Sequence, residues 1–391
     1  MALPIVITLA VLAFAWPSGR ISPRDVPVGI VGTGPASQHA VEALTRAKPG
    51  AFDFRLYPDQ QAARSAIRSR DVYGAFAVSG HGITVLEATA ASPSVAQLLT
   101  GVGQQLADRA TLQLAHQKAA LEKAAQEKTA AAHSSAKTHK KAPAPQSAAG
   151  AGSSVQIALK TVDVVPLATE DPRGAVFSSS VFPLTICGIM IGAFVTMARG
   201  LARPRHRVLT LLVACAVAAL GVYLVAQGFL GALPHDHVAT WAILSLDLLS
   251  VGATAAGLIR LLGPVGLGLS AALMVFVGNA FSGATSAPEM LPNGVHHLGQ
   301  WLPPGAGASL LRDTTYFDGS AGAGHLAVLV LWSVCGLTAV MFGHWVTGEA
   351  RGTKSGTTAP GGLLPALPGP DATLPVRRHA HAHARRDDSA G

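Results

Sequence analysis

Residues 176–232 read VFSSSVFPLTICGIMIGAFVTMARGLARPRHRVLTLLVACAVAALGVYLVAQGFLGA and place two long apolar runs around a short basic loop. A bilayer core needs about 20 consecutive, mostly apolar residues as helix. The stretch therefore reads as a membrane hairpin with spans near 176–198 and 208–232. The runs near 238–260, 263–283 and 325–347 pass the same test. A shorter apolar run, 3–16, lacks the basic flank and the small-x-small cleavage site of a secretory signal. It is read as a first span whose start is placed late.

Composition fits this reading. Charged residues make up 13% of the 391, about half the ~25% of a soluble globular domain, which argues against one large soluble enzyme. Lys and Arg number 29 against 21 Asp and Glu, a net +8. The surplus gathers beside apolar runs, as at Arg199, Arg203, Arg205 and Arg207, and in low-complexity tracts. No basic stripe is interleaved with aromatics, so nucleic acid is not an expected partner. Cys187, Cys215 and Cys335 all lie in apolar runs and read as small core residues rather than a disulfide framework.

Orientation follows from the bias of Lys and Arg towards cytoplasmic loops. The loop 198–207 should be cytoplasmic, which puts the amino terminus inside and residues 18–175 outside. The connection 231–237 has no Lys or Arg, Arg260 ends its span on the cytoplasmic side, and the tail opens with GEARGTK. Both termini are thus expected in the cytoplasm and the protein in the cell membrane, with a first helix at 1–17. The expected domains are 18–175 outside, the spans with a connecting external segment 284–324 across 176–347, and a disordered tail 348–391.

The outer segment begins as an α/β unit. Strands are predicted near 28–31, 52–57, 73–78 and 83–87. Ala40, Val41, Leu44 and Ala47 mark one helix face. Ala62, Ala63, Ala66 and Ile67 mark a second, opposite Arg64, Arg68 and Arg70. A longer helix starts at Ser94 and passes into a helical Ala/Lys/Gln/His-rich tract, 117–152, that cannot build a core. A strand near 155–165 returns towards the membrane.

Little in the chain resembles chemistry. Gly32-Thr33-Gly34 comes after the first strand, but Ser37 stands where a dinucleotide loop needs its third glycine. No sequence qualifies as a phosphate loop, and no nucleophile–base arrangement can be assembled. No catalytic residue, cofactor or metal is expected. The pairs His235/His237 and His296/His297 lack zinc-site company, and His379, His381 and His383 sit in a low-complexity tail. Asp247 is different: a carboxylate within a span is expensive and faces a bundle interior or polar cavity. It reads either as a transport or coupling group or as one held by serines on neighbouring turns.

The stretch 278–319, GNAFSGATSAPEMLPNGVHHLGQWLPPGAGASLLRDTTYFDG, breaks at prolines into short amphipathic pieces. Leu291, Pro292, Trp301, Pro303, Pro304, Arg312, Asp313 and Tyr316 mark it as an interfacial segment. Here the chain resembles the membrane subunits of ABC-2-type exporters, most of all the YhgE and phage-infection-protein (Pip) branch. NAFSG, EMLP, LGQWLPPGA and LLRDTTYFDG carry the likeness, together with VPVGIVG (26–32), AARSAIRSRDVYGAFAV (62–78) and ASPSVAQLL (91–99).

That resemblance implies an all-α membrane bundle of six transmembrane helices with an inserted extracellular α/β domain. It implies a permease half in the lipid bilayer, pairing with a second copy or another permease subunit and powered by a separate cytoplasmic ABC ATPase. Arg199, Arg203, Arg205 and Arg207 would then form the ATPase-coupling loop. The cargo would be hydrophobic or amphipathic. The alternative is a non-transporting envelope receptor, sensor or adhesion protein acting through its outer domain.

Overall fold

A computed structural model describes residues 2–32, 34–79, 82–135, 157–198, 203–231 and 236–352. Arg199, His235, the part of the low-complexity tract beyond Ser135 and the histidine-bearing tail lie outside the described residues. The chain separates into Met1–Gly348 and Glu349–Gly391, and the first unit holds the sheet and the helix bundle.

After α1 (Ala2–Ser18) come β1 (Val26–Val31), α2 (Pro35–Ala47), β2 (Phe52–Tyr57), α3 (Gln60–Arg68), β3 (Gly74–Ser79), β4 (Gly82–Glu87), α4 (Pro93–Ser135) and β5 (Ala158–Asp163). The strands form one sheet in the order β2-β1-β3-β4-β5. The β3–β4 pair is antiparallel and the other pairs are parallel. Alternation along β1 turns Val26, Val28 and Ile30 inwards, each fully buried. Phe76, Val85, Leu86, Ile67 of α3 and Leu99 of α4 complete that core.

Between β1 and α2 the chain makes an ordinary strand-to-helix turn. Ser37 Oγ donates to the Gly34 carbonyl at 2.6 Å, and Pro35 opens the helix. Helix α4 stays helical to Ser135, well into the Ala/Lys/Gln-rich tract. Its residues are strong helix formers, and they remain exposed as far as Lys128.

The remaining helices are α5 (Ala175–Met197), α6 (Pro204–Tyr223), α7 (His237–Leu262), α8 (Pro264–Ala271), α9 (Val295–Gln300), α10 (Pro303–Tyr316) and α11 (Ala323–Gly352). Helices α6 and α8 each continue into a π-helical segment, Leu224–Phe229 and Ala272–Asn279. Among the described residues four helices are long and apolar enough to cross a membrane: Ala175–Met197, Pro204–Phe229, His237–Leu262 and Ala323–Gly343. Thr8–Ser18 and Pro264–Asn279 are apolar but shorter.

Helix α7 is the centre of this bundle. Over its apolar window 56% of residues are buried, against 17% for α6. Small residues permit the close packing, as is general for helices in lipid. A side chain on Gly192 of α5 would strike the Gly252 backbone, and one on Gly336 of α11 would strike that of Ala253. The sequence places all three cysteines in the core, yet only Cys215 is buried, while Cys187 and Cys335 are exposed. Apolar runs cannot separate these cases, because the outward face of such a helix is as apolar as its core.

Candidate functional site

Helix α10 is the piece around which the candidate site forms. Leu302 is extended and Pro303-Pro304 start the helix, where their missing N–H groups cost nothing. Residues 302–310 are buried, so α10 is packed into the bundle and not laid along a surface. A clamp holds the α9–α10 bend: Gln300 Nε2 donates to the Ser282 carbonyl at 2.8 Å, and Ser309 Oγ donates to Gln300 Oε1 at 2.7 Å. Trp301 is 64% exposed, and its carbonyl accepts from Trp332 Nε1 at 2.8 Å. Leu291 and Pro292 are buried.

Beyond Leu311 the helix carries charge. Arg312 Nη2 donates to the Ala284 carbonyl at 3.0 Å, and its guanidinium lies 4.8 Å from the centre of the Phe177 ring. Burial, then the nearby Arg70, pushes its pKa down to about 10, which leaves it charged at neutral pH. Asp313 is fully buried, and its Oδ1 pairs with Arg70 Nη1. Its Oδ2 lies 3.9 Å from His325 Nδ1 and makes no hydrogen bond among the described residues. Tyr316 is half-buried against the sheet core, and burial, then Asp171, pushes its phenol up to about 12.

Arg70 corrects a sequence expectation. The pattern groups it with Arg64 and Arg68 on the solvated face of α3. That helix ends at Arg68, and Arg70 comes two residues later with a φ of 60°, in the left-handed region. The turn swings its side chain inwards onto Asp313 and over Phe317, 5.4 Å from the ring centre. Burial opposes its charge, but Asp313 with Tyr73 and Glu289 outweighs burial and raises its pKa.

Other threads tie the sheet region to the same place. Tyr73 donates to Glu289 Oε2 at 2.7 Å, and Ser92 Oγ donates to the Ser286 carbonyl at 2.8 Å. Arg24 Nη1 reaches the Met290 carbonyl at 3.1 Å. Ala287, Met290 and Phe317 pack into the sheet's own core. No spacing in the sequence announces these contacts, since Arg70 and Asp313 lie 243 positions apart.

Asp247 sits on α7 and is 8% exposed. Neighbouring hydroxyls serve the backbone and not its carboxylate: Ser250 Oγ donates to the Asp247 main-chain carbonyl at 2.8 Å and Thr254 Oγ1 to that of Ser250 at 2.7 Å. Asp247 Oδ1 has no hydrogen-bond partner among the described residues. The carboxylate abuts Gly307 of α10, where any Cβ would overlap it. Beside it is a cavity of about 40 Å³ between α5, α6, α7 and α10, otherwise lined mostly by apolar side chains. That volume accommodates a small polar group, since one water needs about 10–15 Å³.

The basic residues lie at the other end of the helices. Asp171 caps α5 next to the sheet region, accepting from the N–H groups of Ala175 and Val176 at 2.8 and 2.9 Å. The 23 residues of α5 then carry the chain about 34 Å away. There Arg203 and Arg205 are exposed at the start of α6, and Arg207 is half-buried. Arg260 ends α7 on this side.

Elsewhere Asp236 caps α7, its Oδ1 accepting from the Ala239 N–H at 3.1 Å, and His237 Nδ1 meets the Tyr223 hydroxyl at 2.7 Å. The His296 and His297 rings stack at 3.9 Å. Burial, then His297, pulls the His296 pKa down. No group of His, Cys, Asp and Glu among the described residues could hold a metal ion.

An apolar bundle, a buried carboxylate and an exposed basic end describe a membrane protein. No curated protein matches the chain, and no solved structure does. The profile of one family, described as ABC-2 family transporter protein, matches residues 1–344. That match runs from α1 through the sheet, the bundle and α10 into α11, and the chain belongs to the ABC-2 family of transporter proteins.

Proposed function

We propose that this chain is the membrane permease subunit of an ABC-2-type exporter, moving a hydrophobic or amphipathic cargo outwards on ATP hydrolysed by a separate subunit. Family membership over residues 1–344 carries the reading. In it, α1 and the α8 segment join the four long helices as six spans, and the sheet region is an extracellular insert like that of the YhgE/Pip branch. Both termini are cytoplasmic. A homodimer or a second permease subunit completes the pathway. The exposed Arg203 and Arg205, a helix length from the sheet, form the ATPase-coupling surface.

The test is isolation of the tagged protein from native membranes. A cytoplasmic ATPase should accompany it, and Arg203→Ala with Arg205→Ala should lower coupled ATP hydrolysis while insertion stays intact. Isolates that repeatedly lack an ATPase would overturn the proposal.

A second reading is a non-transporting envelope receptor, sensor or adhesion protein. The observation favouring it is the buried network that fastens the sheet region to α10 through Arg70–Asp313, an arrangement suited to transmitting force or ligand state. In that case deletion of residues 26–165 abolishes function and Asp247→Asn does not.

A further inference from the structure

We propose that the cavity beside Asp247 is a binding site for the cationic head of an alkylammonium amphiphile, with the Asp247 carboxylate as its counter-ion. The site is built, open on one side and incomplete. Asp247 is 8% exposed and its Oδ1 accepts no hydrogen bond from the described residues, whereas buried charges ordinarily have partners. Among the described residues none that lines the cavity carries positive charge. The nearest candidate element, α10, directs its Arg312 to the Ala284 carbonyl and the Phe177 ring. What the carboxylate lacks is a donor with positive charge.

Size and lining narrow the ligand. A space of about 40 Å³ takes an ammonium group, comparable to a water or two, and not a bulky ring. Phe177, Leu184, Val222, Ile243 and Leu311 make the walls apolar, so the rest of the ligand is hydrocarbon. A Mg²⁺ or Ca²⁺ ion would want six or more oxygens. Here there is one carboxylate, and the hydroxyl of Ser180, the other polar side chain of the lining, already donates to the Val176 carbonyl at 2.5 Å. An anion would meet only like charge. Val222 and Ala226 on the α6 side are half-exposed, which gives the alkyl chain a way out between helices into lipid. Gly307 lets α10 close over the carboxylate without filling its space.

The assignment deepens the exporter reading by naming the class of cargo, and it rests on that reading for every step after binding. Its own test is binding. The full chain in nanodiscs of zwitterionic lipid is titrated calorimetrically with dodecylammonium, dodecanol and dodecanoate, with empty nanodiscs subtracted. Dodecylammonium should bind saturably, the other two should not, and Asp247→Asn should weaken binding at least tenfold. Val222→Trp, which blocks the open side and leaves the carboxylate, should weaken it as well.

Undiminished binding in Asp247→Asn, or dodecanol binding as tightly as dodecylammonium, overturns the proposal. Saturable dodecylammonium binding without ATP-dependent efflux from vesicles supports the site and overturns the exporter reading instead. An ATPase that co-purifies while no dodecylammonium binds does the reverse.

Discussion

Two aspartates are buried at α10, one on the helix and one against it, and live under opposite conditions. Asp313, on α10, is fully buried and holds Arg70 from the sheet region. Asp247, on α7, lies against Gly307 of α10 and its Oδ1 holds nothing. The first is a joint, because its charge is cancelled by a residue distant in sequence whose own placement depends on it. The second has been removed from water without compensation. An uncompensated buried charge is a cost to the fold, and the ligand proposed above would supply the partner that packing does not. Burial alone therefore does not distinguish structure from site, whereas the presence or absence of a partner does.

The largest effect should come from exchanging each aspartate for its uncharged isostere. Asp313→Asn leaves Arg70 buried without its partner and should cost about 3–5 kcal/mol. Asp247→Asn should leave stability unchanged or slightly improved, because it removes an unpaired charge. Denaturant unfolding of both variants in one detergent measures this. Equal losses would erase the distinction between joint and site.

Next in size is Gly307→Val, which drives a side chain into the Asp247 carboxylate. Overpacking of that kind costs about 1–3 kcal/mol. Asp247→Ala should rescue much of the loss in a double-mutant cycle, and Gly268→Ala, at a site with nothing within 4 Å of an added Cβ, should cost nothing. Additive effects of the 307 and 247 changes would show that the two positions do not meet.

The smallest effect concerns a third buried carboxylate. Glu87 is 9% exposed and accepts from Thr100 Oγ1 at 2.7 Å. Burial raises its pKa, Thr100 lowers it and Asp163 raises it, with a net upward shift. A carboxyl whose folded pKa exceeds its unfolded one contributes fully below the unfolded pKa, and that contribution is lost as pH rises through the folded value. Glu87→Gln should therefore raise the unfolding midpoint at pH 7, with the gain vanishing by about pH 4. A gain that persists at pH 4 would locate the effect in packing and not in charge.

Much of the scaffold was legible because it is written in short-range pattern. The strand at 52–57 keeps its bounds, and the runs near 176–198 and 238–260 became Ala175–Met197 and His237–Leu262. Asp247 stood out because carboxylates are scarce in such runs. Pairings across the chain were not legible. Nothing local to Arg70 says that α3 stops at Arg68 and that the next turn points inwards, and nothing local to Asp313 says it awaits a residue 243 positions away. Gly307 looked like any small residue in GAGAS, because its role lies in what occupies the place of its missing side chain.

The π-helical segments have a mechanical consequence. Each hydrogen-bonded ring in such a segment encloses one residue more than an α turn does, so each holds chain length in reserve. One is Leu224–Phe229, whose Ala226 lines the Asp247 cavity, and the other is Ala272–Asn279, which leads into the loop before α9. Rewinding either to α geometry would lengthen its helix and displace the turn that follows. The cavity thus has chain in reserve in its α6 wall, whereas the joint at Arg70–Asp313 stands on regular α-helix in α10.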